Sequence, residues 1–181
     1  IGGGIIIDGE LYKGKDGLAG EIGHLVFNPS GKQCKCGSRG CLETLASGSA
    51  FADQAQALIS DGQAPILESI AKNQKPTAKM LYAAAIKDEK VAIETIQKGG
   101  QLIGLGLVSL INTLNPDIVT LSGGLLNMGN LLIGPLRKII QIQKYGPAQQ
   151  TPIIETQLGG NCGLLGAAAL ALNKLDTSHR A

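Results

Sequence analysis

The chain contains no tryptophan, and aromatic residues make up only 3% of it. The core must therefore be aliphatic, and no row of stacking rings is available to hold unpaired bases. Concentrated charge is missing as well. Sixteen Lys and Arg face fourteen Asp and Glu, for a net charge of +2, and no block of five or more basic residues occurs. A nucleic-acid surface within these residues is not expected. The apolar runs are short or broken by glycine, so no membrane span is expected. No secretory signal is legible at the start. Neither a heptad array nor a repeat of 20–50 residues is present.

What the chain does contain is a globular composition. Of its 181 residues, 44% are hydrophobic and 17% charged. That is enough for one ordinary domain or two small ones with a real core, and it argues against disorder. Its 26 glycines are roughly twice the usual share. Much of the backbone must turn tightly or approach something closely.

Ile5-Ile6-Ile7, Asp8-Gly9 and Glu10-Leu11-Tyr12 read as a β-hairpin, because Asp-Gly between apolar runs favours a two-residue turn. Residues 13–48, rich in Gly, Pro and Cys, lack periodicity and read as a loop organised by something other than a core. Helical spacing begins near Ser49, with Phe51, Ala55, Leu58 and Ile59 on one face, and Asp61-Gly62 ends it. Short helices are expected over 65–72 and after Pro76-Thr77. Asp88 is expected to cap a long helix carrying Val91, Ile96, Ile103, Leu107, Leu110, Ile111 and Leu114, which Pro116 ends. A strand at 117–121, a helix at 131–144, a strand at 152–157 and a helix at 163–174 imply parallel pairing and an α/β arrangement. The boundaries are thus a loop at about 13–48, a helical part at about 49–115, an α/β part at about 116–175 and a loose tail at 176–181.

His24, Cys34, Cys36 and Cys41 are four candidate zinc ligands, and glycines surround the last three. A Cys₃His set closes a tetrahedron and leaves no position for a reactive water, so the metal would be structural. Two other readings stand beside it. One thiol could pair with Cys162, or the three could be inert core residues. Against the latter, they sit among Lys, Gly, Ser and Arg. Zinc requires reduced thiols, which points to the cytosol. Cys162 reads as a small core residue at a helix start.

Glu21 lies three residues before His24, and Glu43 two residues after Cys41. A metal on one imidazole nitrogen leaves the other as an N–H donor. Carboxylates and an N–H together suit a polyhydroxylated ligand, since sugar hydroxyls both donate and accept. Read from the residues alone, Glu21 and Glu43 are equally well surface groups or supports for the metal ligands.

The order of motifs resembles the ROK family of bacterial sugar kinases and sugar-responsive repressors. The match runs through Ile1-Gly2-Gly3-Gly4-Ile5-Ile6, Gly20-Glu21-Ile22-Gly23-His24, the Cys34–Cys41 knuckle, Leu42-Glu43 and Ala46-Ser47-Gly48. It continues at Asn115-Pro116-Asp117-Ile118-Val119, Leu121-Ser122-Gly123-Gly124 and 163–169. The resemblance implies an actin-like ATPase lobe of the ribonuclease-H type, with an inserted zinc loop and a helical segment. It makes Glu21, His24 and Glu43 sugar contacts, with His24 also a zinc ligand. Gly2, Gly3 and Gly4 match the end of a phosphate motif. Ser122, Gly123 and Gly124 match an adenosine motif, with Ser122 where many members have a third glycine.

The resemblance further implies ATP with magnesium as phosphoryl donor, a hexose such as glucose as substrate, and self-association, to which the long apolar helix would contribute. The family's first phosphate loop and catalytic Asp have no counterpart here, so this chain is expected to be a second, C-terminal lobe, inactive alone. The alternative is the effector-binding lobe of a repressor, whose helix-turn-helix would supply the only nucleic-acid contact.

Overall fold

The computed structural model describes residues 1–143 and 150–178. Strands β1 (Ile5–Ile7) and β2 (Glu10–Tyr12) pair antiparallel, with Ile5 opposite Tyr12 and Ile7 opposite Glu10. Asp8 and Gly9 both take positive φ, at 52° and 80°, as the expected two-residue turn requires. An irregular segment follows and is interrupted by one 3₁₀ turn at Ile22–His24.

Helices fill the middle of the chain: α1 (Leu42–Ala46), α2 (Gly48–Ser60), α3 (Pro65–Ala71), α4 (Ala78–Ala85) and α5 (Lys90–Leu114). Local chemistry sets their ends. Ser47 caps α2 by accepting from the Ala50 amide at 3.1 Å, and Thr77 caps α4 by accepting from Met80 at 3.2 Å. Asn115, left-handed at φ 44°, closes α5 ahead of Pro116.

One expected cap is corrected. Asp88 does not cap α5, because it is itself left-handed at φ 65° and closes the preceding turn onto Ala85. Glu89 takes the N-cap position, yet its buried carboxylate serves another helix. It accepts from the amides of Ile66 and Leu67, at 2.7 and 3.0 Å, in the first turn of α3. An acid at a helix N-terminus is stabilised by the unpaired amides there.

Helix α6 (Asn130–Gln143) lies along α5. Glycines make the approach possible. A Cβ at Gly100 would sit 2.3 Å from the Leu132 carbonyl oxygen, and one at Gly104 would sit 2.8 Å from that of Leu136. Gly99 leaves room for the Phe51 ring, 2.3 Å from where its own Cβ would be. Fully buried Phe51, Leu67, Leu81 and Ile96 form one aliphatic-rich cluster with Leu132. Ile111, Leu136 and Ile140 anchor a second. Most of the apolar stripe expected on α5 is therefore covered within the chain, whereas Leu114 at its end stays exposed.

Strands β3 (Val119–Leu121) and β4 (Ile153–Glu155) pair in parallel, with Val119 opposite Ile153 and Leu121 opposite Glu155. Helix α6 lies in the crossover between them, the arrangement expected of an α/β unit. Both strands are shorter than the sequence led one to expect. The last helix, α7 (Cys162–Ser178), runs past the expected end at 174. Positions 144 and 179–181 lie outside the described residues. Among the described residues, no helix is long and apolar enough to cross a membrane.

Candidate functional site

Backbone turns, rather than regular structure, shape the loop between the hairpin and α1. The Gly40 carbonyl accepts from the amides of Phe27 and Asn28, and the Gly40 amide donates to Lys32. A Cβ on Gly40 would lie 1.6 Å from the Asn28 carbonyl oxygen, and its φ is 64°, so only glycine fits. The Cys34 amide donates to Ser38, and Gly37, at φ 96°, donates back to Cys34. These turns bring Cys34, Cys36 and Cys41 together on a short knuckle, and a bridge between Val26 and Cys41 helps join it to the segment after His24.

The result is a cluster in which His24 and the three thiols place their ligand atoms within 4.8 Å of one another. Cys34 Sγ lies 3.6 Å from His24 Nδ1, and Cys36 Sγ lies 3.6 Å from Cys41 Sγ. A tetrahedral zinc, with Zn–S of about 2.3 Å and Zn–N of about 2.05 Å, puts two sulfurs about 3.8 Å apart and a sulfur about 3.6 Å from a nitrogen. The four donors thus fit that ion in number, type and spacing.

The Ser38 backbone amide does most to lower the Cys36 thiol, to about 7, while burial and the neighbouring thiols push Cys41 up to about 12. Thiols this close cannot all ionise unless a cation shares their charge. All four cysteines are free, and Cys162 sits elsewhere, 3.4 Å from Thr156 Oγ1. The Ser122 hydroxyl is foremost in holding the Cys162 thiol below its ordinary value. Cys162 is half-buried at the start of α7 rather than in the core expected from sequence. Cys36 is exposed and so is not an inert core thiol either.

The imidazole is oriented by its two neighbours. Nδ1 faces the thiols, and Nε2 faces outward to Glu21, whose Oε2 is 3.8 Å away. Glu21 flanks the 3₁₀ turn, and its carbonyl accepts from the His24 amide at 3.0 Å. Glu43 stands in the first turn of α1, which packs against that 3₁₀ turn.

The glycine strip at the start of the chain lies against the same place. A Cβ on Gly3 would be 2.8 Å from the Gly20 carbonyl oxygen, and one on Gly23 would be 2.1 Å from that of Ile1. The sequence reading did not foresee this contact, although matching glycines at 3, 20 and 23 were its available signal. Ser122 and Gly123 follow β3, and a Cβ on Gly123 or Gly124 would meet open space. Leu125, just beyond, touches Gly48 at the start of α2, so this turn lies beside the end of the Ala46-Ser47-Gly48 motif. Gly3 thus lies against the segment that carries Glu21 and His24, whereas the Ser122–Gly124 turn leads into Leu125 near the start of α2.

The model of the ROK family matches residues 1–174. The chain belongs to the ROK family. A glucokinase from Thermotoga maritima is 30% identical to this ROK chain over 177 residues, which are 97% of the chain and 56% of that protein. A putative xylose repressor from Caldicellulosiruptor sp. is 29% identical over 176 residues, 97% of the chain and 44% of the repressor. The crystal structure of a ROK family glucokinase from Streptomyces griseus, in complex with glucose and AMPPNP, matches with a TM-score of 0.81 and 33% identity, covering 93% of this chain and 56% of that one. The fold is that of the ROK sugar kinases, in the actin-like ATPase class. The chain spans about half the length of the curated relatives it matches.

Proposed function

We propose that this chain is the sugar-gripping, C-terminal lobe of an ATP-dependent hexose kinase, acting on a hexose such as glucose. The observation that carries the reading is the orientation of His24. Its Nδ1 turns to three thiols, and its Nε2 turns outward beside Glu21, with Glu43 on the helix that packs against the same turn. The neighbour from Streptomyces griseus, at a TM-score of 0.81, was solved with glucose and AMPPNP.

His24, Cys34, Cys36 and Cys41 would hold one zinc, which supplies structural rigidity and no reactive position. With Nδ1 committed, Nε2 carries the proton and donates to a sugar hydroxyl. Glu21 and Glu43 accept from neighbouring hydroxyls, and together the three groups fix which hydroxyl faces the nucleotide. Phosphoryl transfer depends chiefly on such positioning and on charge stabilisation. Gly2, Gly3 and Gly4 and the turn at Ser122, Gly123 and Gly124 would let backbone amides approach the phosphates of magnesium-bound ATP without side-chain obstruction. No residue of this chain is proposed as the base that takes the hydroxyl proton; the three groups named would position the sugar for it. The whole protein would be cytoplasmic, since zinc requires reduced thiols, and would self-associate, a reading that rests on the family resemblance and on the apolar length of α5.

A second reading is favoured by the putative xylose repressor, as similar over this chain as the glucokinase. In it the same three residues grip an effector sugar and the DNA-binding part lies elsewhere. The whole protein decides between them. Kinase function requires ADP release from ATP with glucose, mannose, N-acetylmannosamine or fructose, abolished by Glu21→Ala or Glu43→Ala. Sugar binding with no turnover, together with DNA release by the sugar, would replace the kinase by the repressor. Absence of any sugar binding would sink both.

A further inference from the structure

Three of the four metal donors lie on one short knuckle, but they are not equally protected. Cys34 and Cys41 are buried, whereas Cys36 is exposed. Cys36 is also the thiol whose sulfur lies 3.6 Å from that of Cys41. Gly37 follows it at φ 96°, its amide donating to the Cys34 carbonyl and its carbonyl accepting from Gln33 Nε2, so Cys36 stands on the solvent side of a hydrogen-bonded turn. The two sulfurs thus play different parts: that of Cys36 faces solvent, and that of Cys41 is buried within reach of it.

We propose that Cys36 and Cys41 form a reversible thiol–disulfide pair through which a peroxide oxidant ejects the zinc and loosens His24. This deepens the functional reading above and rests on its metal site. The chemistry balances with the peroxide as the sole oxidant. The sulfur of Cys36 attacks one peroxide oxygen, so an S–O bond forms, the O–O bond breaks, and the departing hydroxide is protonated to water. The sulfur of Cys41 then attacks that of Cys36; the S–S bond forms, the S–O bond breaks, and a second water leaves. The two sulfurs lose two electrons, and the peroxide gains them.

Closing the bond shortens the sulfur separation by roughly 1.5 Å, a movement that can fall on the exposed Cys36 side chain. Cys34 is the poorer partner, being separated from Cys36 by one residue and therefore bridged only through a strained ring. With Cys36 and Cys41 bonded to each other, the ion keeps only His24 and Cys34 and is lost. His24 Nδ1 is then free, and the imidazole that faces Glu21 loses its fixed tautomer.

The experiment uses the intact chain, purified reduced with zinc. Hydrogen peroxide is added in stoichiometric amounts, released zinc is read with a chromogenic chelator, and the bridged peptides are mapped by mass spectrometry after free thiols are blocked. The expected result is complete loss of the bound zinc in step with a Cys36–Cys41 bridge. Dithiothreitol and added zinc should restore the metal, and Cys162→Ser should respond as the unaltered chain does. Retention of zinc under peroxide overturns the inference alone, leaving the metal site intact. So does release accompanied by a bridge to Cys34 or Cys162, or by sulfinic acid at Cys36. A reduced chain that takes up no zinc at all overturns the metal reading and the inference together.

Discussion

Between residues 42 and 143 the chain buries Phe51, Leu67, Leu81, Ile96, Ile111, Leu132, Leu136 and Ile140. Between 13 and 41 the buried residues, among those described, are Gly23, Cys34, Gly40 and Cys41: two glycines and two cysteines of the proposed metal cluster, with no Leu, Ile, Val or Phe. The helical body is held by apolar burial, worth about 1.5–3 kcal/mol for each large side chain. The loop has no such source and depends on turns and on donors that converge on one point. Two neighbouring regions of one short chain thus differ in what can stabilise them, and Glu21 and His24, the residues proposed to grip the sugar, sit in the region without a core.

The sharpest way to test the contrast is to remove a donor. Cys41→Ser should abolish zinc retention, measured by elemental analysis, and should free the amides of residues 24–43 to exchange rapidly with deuterium. Structural zinc in small domains contributes on the order of 10 kcal/mol of folding free energy at neutral pH. Amides in the middle of α5 and α6 should keep their protection, because their burial does not involve the metal. Simultaneous loss of protection in α5 would mean that the two regions fold as one unit and that the contrast is false.

The mirror experiment attacks the body. Gly100→Leu drives a side chain into the Leu132 carbonyl, which stands 2.3 Å from the position of the first added carbon. Backbone cannot yield as a flexible side chain does, so the loss should reach about 3 kcal/mol or more, at the upper end for overpacked interiors. Thermal unfolding of the helices should move down by many degrees, while the metal content of the folded fraction stays unchanged.

The same division explains what the sequence revealed. Helices at 48–60, 78–85 and 90–114 were legible because Phe51, Ala55, Leu81, Ile96 and Ile111 recur at helical spacing. The metal cluster was legible by a different signal, the spacing of four ligand-type residues among glycines. What periodicity cannot carry is the partner across space. Gly99, Gly100 and Gly104 look like poor helix residues until α6 and Phe51 are placed against them. Glu89 looks like a surface acid until α3 is placed over it. The approach of Ile1 and Gly3 to Gly20 and Gly23 depends on the path of the whole loop, which no local rule supplies.

Glu89 gives an intermediate test within the body. Glu89→Ala leaves the Ile66 and Leu67 amides without their acceptor in a partly buried position, which costs about 1–3 kcal/mol. Denaturant unfolding should show a loss of that size, and hydrogen exchange should place it in the first turn of α3. Glu89→Gln, which keeps one acceptor oxygen but not the charge, should lose less. Equal losses for the two variants would assign the effect to the charge and the second acceptor oxygen, because Gln preserves the packing that Ala removes.

The smallest effect should come from the one ion pair, among the described residues, that ties the loop to the body by side chains. Lys32 of the loop pairs with Asp53 of α2, and both are exposed. Its hydrogen bond to Lys32 is the main reason the Asp53 carboxyl lies below its ordinary value, with the nearby Lys75 charge adding to the effect. A carboxylate held low in the folded state contributes stability that is present above the ordinary value of about 4 and is lost as pH falls through the folded value. Exposure and ionic screening keep the pair below about 1 kcal/mol. Asp53→Asn should therefore differ from the unaltered chain by a few tenths of a kcal/mol near pH 7, by progressively less below about pH 4, and by nothing measurable in about 1 M salt. Zinc affinity is the decisive readout for the comparison of the two regions. If metal donors hold the loop, competition with a chelator should give the same affinity for Asp53→Asn and the unaltered chain. A tenfold or greater fall in zinc affinity corresponds to about 1.4 kcal/mol of coupling, more than an exposed pair supplies through its own attraction. That result would show that the helical body organises the loop before the metal does.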